Sequence, residues 1–137
     1  MTQEDKELIL KDLSARLPYG VQCSCTWSHE VPNGTTGCIQ ELSTFLIEEI
    51  EIMDNPEYDC QICEIKPYLR PMSSMTEEEK VYLSQRHFYE GESAYANVYI
   101  AAEVVDWMTE HHLDFRGLIP KGLALEAPNG MYNVKEK

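Results

Sequence analysis

Polar and apolar positions repeat with two different periods along this chain, and the changes of period divide it. From Thr2 to Leu17, Leu10, Leu13 and Leu17, with Ile9 beside them, recur at helical spacing. Thr2 is placed to cap that helix. Glu4 and Asp5 in the first turn and Lys11 and Arg16 further on suit its dipole, and Pro18 and Gly20 end it. The period then drops to two: Val21, Cys23, Cys25 and Trp27 alternate with Gln22, Ser24 and Thr26, which predicts a strand. Pro32-Asn33-Gly34 is a turn signal, and a returning strand includes Cys38 and Ile39.

Between Leu42 and Met53 both periods fit. Leu42, Phe45, Leu46, Ile50 and Met53 make a helical face, whereas Ile50 and Ile52 alternate with Glu49 and Glu51. The strand-like neighbours favour a strand, which is the expectation. After a turn over residues 55–59, residues 60–71 read as extended. Pro67 and Pro71 keep the residues before them out of helix and donate no backbone hydrogen bond, which predicts an edge strand leaving its sheet. Thr76 and Glu79 form a T-x-x-E capping box that opens a helix over about Glu77 to Gln85. A polar, tyrosine-rich loop with a strand near Val98 follows. The next helix carries Ala101, Val104, Val105, Met108 and His112 on one face. Beyond Asp114, Gly117, Pro120 and Gly122 break the chain into short turns.

Strands followed by helices predict an α+β fold. It has an N-terminal helix, a small bent antiparallel sheet with a barrel-like form as one option, and C-terminal helices. The length suits a single domain over residues 1–137, made of a helix at 1–17, a β unit at 20–71 and a mainly helical part at 76–128.

Charge narrows the partners. Twenty-four acidic against 11 basic residues give a net charge of −13. That opposes phosphate backbones and anionic membranes and leaves two roles for the acids, solubility or attraction to a basic protein partner. No apolar run approaches the ~18 residues of a membrane helix. The N-terminus lacks the basic start and apolar stretch of a signal peptide, so a cytoplasmic location is expected. Five cysteines, an odd number, then argue for reduced thiols rather than a disulfide framework.

Two groups of residues carry candidate chemistry. Cys23, Cys25, Cys38, Cys60 and Cys63 offer a C-x-C and a C-x-x-C half-site for a four-thiolate metal centre. Against that reading, no glycine turn shapes a knuckle, and Cys60 and Cys63 point to opposite faces of a regular strand. Small apolar core residues are the preferred alternative. Glu103, Asp106 and Glu110 share a helix face near His111, His112 and Asp114, yet the spacing matches no metalloprotease or di-metal motif. No G-x-S-x-G, no phosphate-binding glycine loop and no cofactor motif occurs. Eight tyrosines, several between Tyr82 and Tyr99, suit either an interface or a half-buried scaffold.

Three stretches, "LILKDLSARLPYGV", "IKPYLRPMSSMTEEEK" and "DWMTEHHLDFRGLIPKGLALEAPNGMY", carry a resemblance. They are similar to a family of small, uncharacterised acidic proteins encoded by gut Bacteroidetes and their prophages. The likeness covers somewhat under half of the chain. It implies a bacterial or phage origin and a helix, β unit and helices in that order, and it brings no catalytic residue. The segment from about Gln22 to about Asp59 lies outside it, and so do the cysteines there. The expected function is a non-enzymatic protein-interaction module. A small cysteine-based metal-binding protein is one alternative. The other is an acidic inhibitor that mimics nucleic acid through Glu48, Glu49, Glu51, Asp54, Glu57 and Asp59.

Overall fold

The first helix, α1 (Gln3–Arg16), begins where its cap predicts, with the Thr2 hydroxyl accepting the Asp5 amide at 3.0 Å. The computed structural model describes residues 2–27, 37–53, 55, 57, 62–86 and 94–132. The Pro32-Asn33-Gly34 turn and the start of the tyrosine-rich loop lie outside them, and so does Cys60. The buried face of α1 is Ile9, Asp12, Leu13 and Arg16, with Leu10 and Leu17 half-buried at its margin. A single 3-10 turn and Gly20, whose φ of 70° suits a residue without Cβ, then release the chain.

β1 (Gln22–Trp27) lies at the centre of the sheet. It pairs antiparallel with β2 (Gly37–Glu41) on one side and with β3 (Ile62–Leu69) on the other. A two-residue β4 (Leu125–Glu126) adds to the far end of β3, giving the order β2-β1-β3-β4. β4 runs parallel to β3, so the sheet is mixed rather than purely antiparallel, and it stays open rather than closing as a barrel. The prolines predicted an edge strand, but β3 is flanked on both sides at its end, where Tyr68 and Leu69 pair with β4 and Arg70 bridges Leu113; among the described residues its outer side is unpaired only before Tyr68.

The segment expected as a strand is a helix, α2 (Thr44–Ile52). Its cap is Ser43, whose hydroxyl accepts the Leu46 amide at 3.4 Å. Leu42, Leu46, Glu49, Ile50 and Met53 turn inward at helical spacing. A cap followed by a 3.6-residue face therefore outweighed the local Glu-Ile alternation. α1 and α2 pack together over the inner face of the sheet. Ile9, Leu13, Leu46 and Ile50 meet Val21, Cys23, Cys25, Ile65 and Leu69 in one apolar cluster. Burying each large side chain there is worth about 1.5–3 kcal/mol.

α3 (Glu77–Ser84) opens with both halves of the capping box formed. α4 (Ala94–Glu110) starts earlier than expected, so Val98 is helical and no strand forms there. Its half-buried face runs through Ile100, Ala101, Val104, Trp107 and Met108, with His111 just past its end. Val105 is exposed, and His112 lies beyond the helix. Among the described residues no helix is long and apolar enough to cross a membrane.

Candidate functional site: the cleft at the end of the long helix

Among the described residues the cysteines do not gather into one metal site. Cys23 and Cys25 point inward from β1 and are fully buried, and Cys38 on β2 stands opposite Cys25. Cys63 is exposed on β3, with its Sγ 3.4 Å from the Thr26 carbonyl oxygen. Burial pushes the Cys23 thiol up to about 12, and the neighbouring Cys25 adds to the shift. Burial, with Cys38 next, takes Cys25 to about 11. Both thiols are protonated at neutral pH, which makes them poor metal ligands there and nucleophiles only through the small fraction that deprotonates. Among the described residues no group of three His, Cys, Asp or Glu side chains is arranged to hold a metal ion.

The acid-histidine group disperses as well. Glu103 pairs with Arg86 at 3.0 Å, and Asp106 is exposed. Asp114 is buried and accepts the Leu118 and Ile119 amides at 2.8 and 2.9 Å, closing the turn after α4. Of the expected acidic run, Asp54 and Asp59 lie outside the described residues, and among the rest Glu49 is 7% exposed and does not share an outward surface with Glu48 and Glu51.

A cleft forms instead around the end of α4. The helix closes in a Schellman turn: the Leu113 amide bonds the Met108 carbonyl at 3.0 Å and the His112 amide bonds that of Thr109 at 3.1 Å. The left-handed residue of this turn is usually glycine. Here it is His112, at φ 62°, and its ring stacks on Tyr132 at 3.8 Å. Two arginines and a backbone amide saturate the carbonyls that follow. Arg70 donates to His111 O at 3.2 Å, the Arg70 amide to His112 O at 2.8 Å, and Arg16 to Leu113 O at 2.8 Å. Cations at a helix C-terminus also suit its dipole.

Each arginine is held by a carboxylate, and Asp12 is shared between Arg16 and Arg116, whose Nε lies 3.6 Å from it. Arg16 forks onto Asp12 at 2.7 and 3.1 Å, one turn back along α1. Arg70 forks onto Glu79 at 2.6 and 2.8 Å and reaches the Ser74 carbonyl at 3.2 Å. Burial alone pushes the Glu79 carboxyl up. The Arg70 guanidinium and the Thr76 amide outweigh that and hold it below the usual carboxylate range. Arg70 thus fastens the end of β3 to the following turn, the start of α3 and the end of α4.

The resulting cleft encloses about 660 Å³. Along one wall run stacked planar groups. Arg86 lies 4.6 Å over Tyr82, Tyr82 lies 4.6 Å from Trp107, and Trp107 lies 4.4 Å from His111. The other wall is His112 on Tyr132. Burial, then Arg16 and Arg70, pull the His112 imidazole down to about 4, so it is neutral at pH 7. The Tyr132 hydroxyl accepts the Gln22 amide at 2.8 Å and donates to the Tyr68 carbonyl at 2.7 Å. Glu78 and Glu110 also line the cleft, and among the described residues no ion pair reaches either carboxylate.

No family model, curated protein or solved structure matches this chain significantly.

Sequence reasoning missed the arginines. Asp12 and Arg16 stand four apart on the face of Ile9 and Leu13, a spacing that marks an ion pair. Nothing local links Arg70 to Glu79, because that contact exists only once β3 and α3 are folded.

Proposed function

We propose that this chain is a non-enzymatic protein-binding module whose cleft takes a basic segment of its partner. The observation that carries this reading is the charge balance of the cleft. Arg70 and Glu79 cancel and His112 is neutral, while Glu78 and Glu110 remain uncompensated beside a space of about 660 Å³. That volume is within the range of small-ligand sites, roughly 300–1,000 Å³. Lysine or arginine side chains match its charge, and the net charge of −13 would steer such a partner in. The hydroxyls that line the cleft support binding over catalysis. Thr76 accepts the Glu79 amide, Tyr82 donates to Glu103, and Tyr132 is engaged on both sides.

The test is titration with an arginine-rich peptide and with an acidic peptide of equal length. Trp107 fluorescence is followed in a Trp27→Phe background. Two double variants of equal net charge are compared, Glu78→Gln/Glu110→Gln in the cleft and Glu48→Gln/Glu51→Gln on the exposed side of α2. Binding of the basic peptide should weaken about tenfold in the first and stay within about twofold in the second, tenfold being about 1.4 kcal/mol. Equal loss in both would mean general attraction to an acidic surface and would reject the site.

A further inference from the structure

Cys25 and Cys38 are directly opposed in the β1–β2 ladder, so their side chains leave the same face of the sheet. Opposed residues of an antiparallel pair have Cα atoms about 4.5 or 5.5 Å apart, within the roughly 4.4–6.8 Å that a disulfide spans. The two differ in access. Cys25 is fully buried, whereas Cys38 sits partly exposed on the edge strand β2. Cys63 is the most accessible of the described thiols, but it stands on β3, at the irregularity opposite Thr26 and Trp27, and not on the strand that carries Cys38. Cys23 shares the inner face, two residues along the same strand and opposite Gln40.

We propose that Cys25 and Cys38 are a built oxidation site, closing to a cross-strand disulfide when the protein meets a low-molecular-weight disulfide such as oxidised glutathione. The Cys38 thiolate attacks one sulfur of the small disulfide, forming a mixed disulfide and expelling one small thiol. Cys25 then loses its proton and attacks the Cys38 sulfur, expelling the second. Two protein thiols are oxidised by two electrons, and one small disulfide is reduced to two thiols. The bond ties the edge strand β2 covalently to the sheet centre. This rests on the β1–β2 register and is independent of the cleft.

The experiment uses the full chain carrying Cys60→Ser and Cys63→Ser, incubated with oxidised glutathione and read by intact mass. The expected product has lost two hydrogens, carries no glutathione and shows one remaining thiol. Cleavage after Glu30, which separates Cys25 from Cys38 in the sequence, should leave the two peptides joined. The same linkage should map in the unsubstituted chain. Adding Cys23→Ser should leave the disulfide in place with no thiol remaining, and adding Cys38→Ser should abolish it. The closure rate should rise about tenfold per pH unit above neutral, because the buried Cys25 must deprotonate. A persistent glutathione adduct on Cys38 without loss of two hydrogens, or loss of the product in the Cys23→Ser variant, would overturn the assignment.

Discussion

Replacing Tyr132 by Phe removes one oxygen and tests how the far end of the chain is held. That hydroxyl sits between the Gln22 amide and the Tyr68 carbonyl, the terminal partners of the β1–β3 ladder just beyond the Cys23–Pro67 pair. It serves as a rung, accepting from one strand and donating to the other. Phenylalanine keeps the ring and its stack on His112 but leaves an amide and a carbonyl unpaired. Each orphaned buried group costs about 1–3 kcal/mol. Both sites here are only partly buried, so water recovers part of the loss and the expected total is about 2 kcal/mol. For a chain of this size that lowers the melting temperature by about 8 °C. Urea unfolding followed by circular dichroism should show a lower midpoint with an unchanged slope. Hydrogen exchange at the Gln22 amide should accelerate. The variant should also lose part of its alkaline instability. Burial raises the phenol to about 12, so the wild type loses that stabilisation as pH rises from 10 towards 12. The buried thiols Cys23 and Cys25 keep their share of this limb. A stability within 0.5 kcal/mol of wild type, roughly the scatter of surface substitutions, or unchanged exchange at Gln22, would refute the rung.

Three further outcomes follow from the cleft. Thr76→Ala should cost about 1 kcal/mol and Thr76→Ser little, by thermal unfolding, because the capping box needs the hydroxyl. Glu79→Gln should cost about 3 kcal/mol by leaving Arg70 buried without its counter-ion, and a Glu79→Leu/Arg70→Met double variant should recover part of that loss. In the wild type, the Glu79 contribution is present above about pH 4.5 and is lost as pH falls through its lowered value. His112→Gly should be more stable than His112→Ala by about 1 kcal/mol, since both lose the ring but only glycine relieves the left-handed backbone. Both variants should lack the stability decline, on the order of 2 kcal/mol, that the wild type shows as pH falls from 6.5 to 4, where the unfolded chain protonates His112 and the folded chain does not.

The local parts of the fold were legible. Thr2, the alternation of Val21 to Trp27 and the Thr76–Glu79 box each act within a few residues, and each appears as read. Over residues 42–53 a helical and an extended pattern overlap on the same isoleucines. Only Ser43, unweighed as a cap, distinguished them. The expected face of α4, through Val105 and His112, differs from the observed one through Ile100 and Trp107, and the helix ends before His112. That histidine is the left-handed residue of the terminal turn, a place sequence usually marks with glycine. Of the cleft, sequence offered only the acids and histidines. Its organising contacts join residues 9, 41, 64 and 97 positions apart, and no periodicity encodes those pairings.

The parallel pairing of β3 with β4 has a consequence during synthesis. β1, β2 and β3 emerge from the ribosome early, but the outer edge of β3 near Tyr68 and Leu69 waits for Leu125 and Glu126. At about 5–20 residues per second, that interval lasts on the order of 3–10 s. For the earlier part of it Arg70 lacks the carbonyl of His111, and throughout it the Gln22 amide lacks the Tyr132 hydroxyl. The nascent sheet therefore presents an open edge to other chains during that interval, and the final closure of the fold is set by the arrival of residues 111–132 rather than by the pairing of its three longer strands.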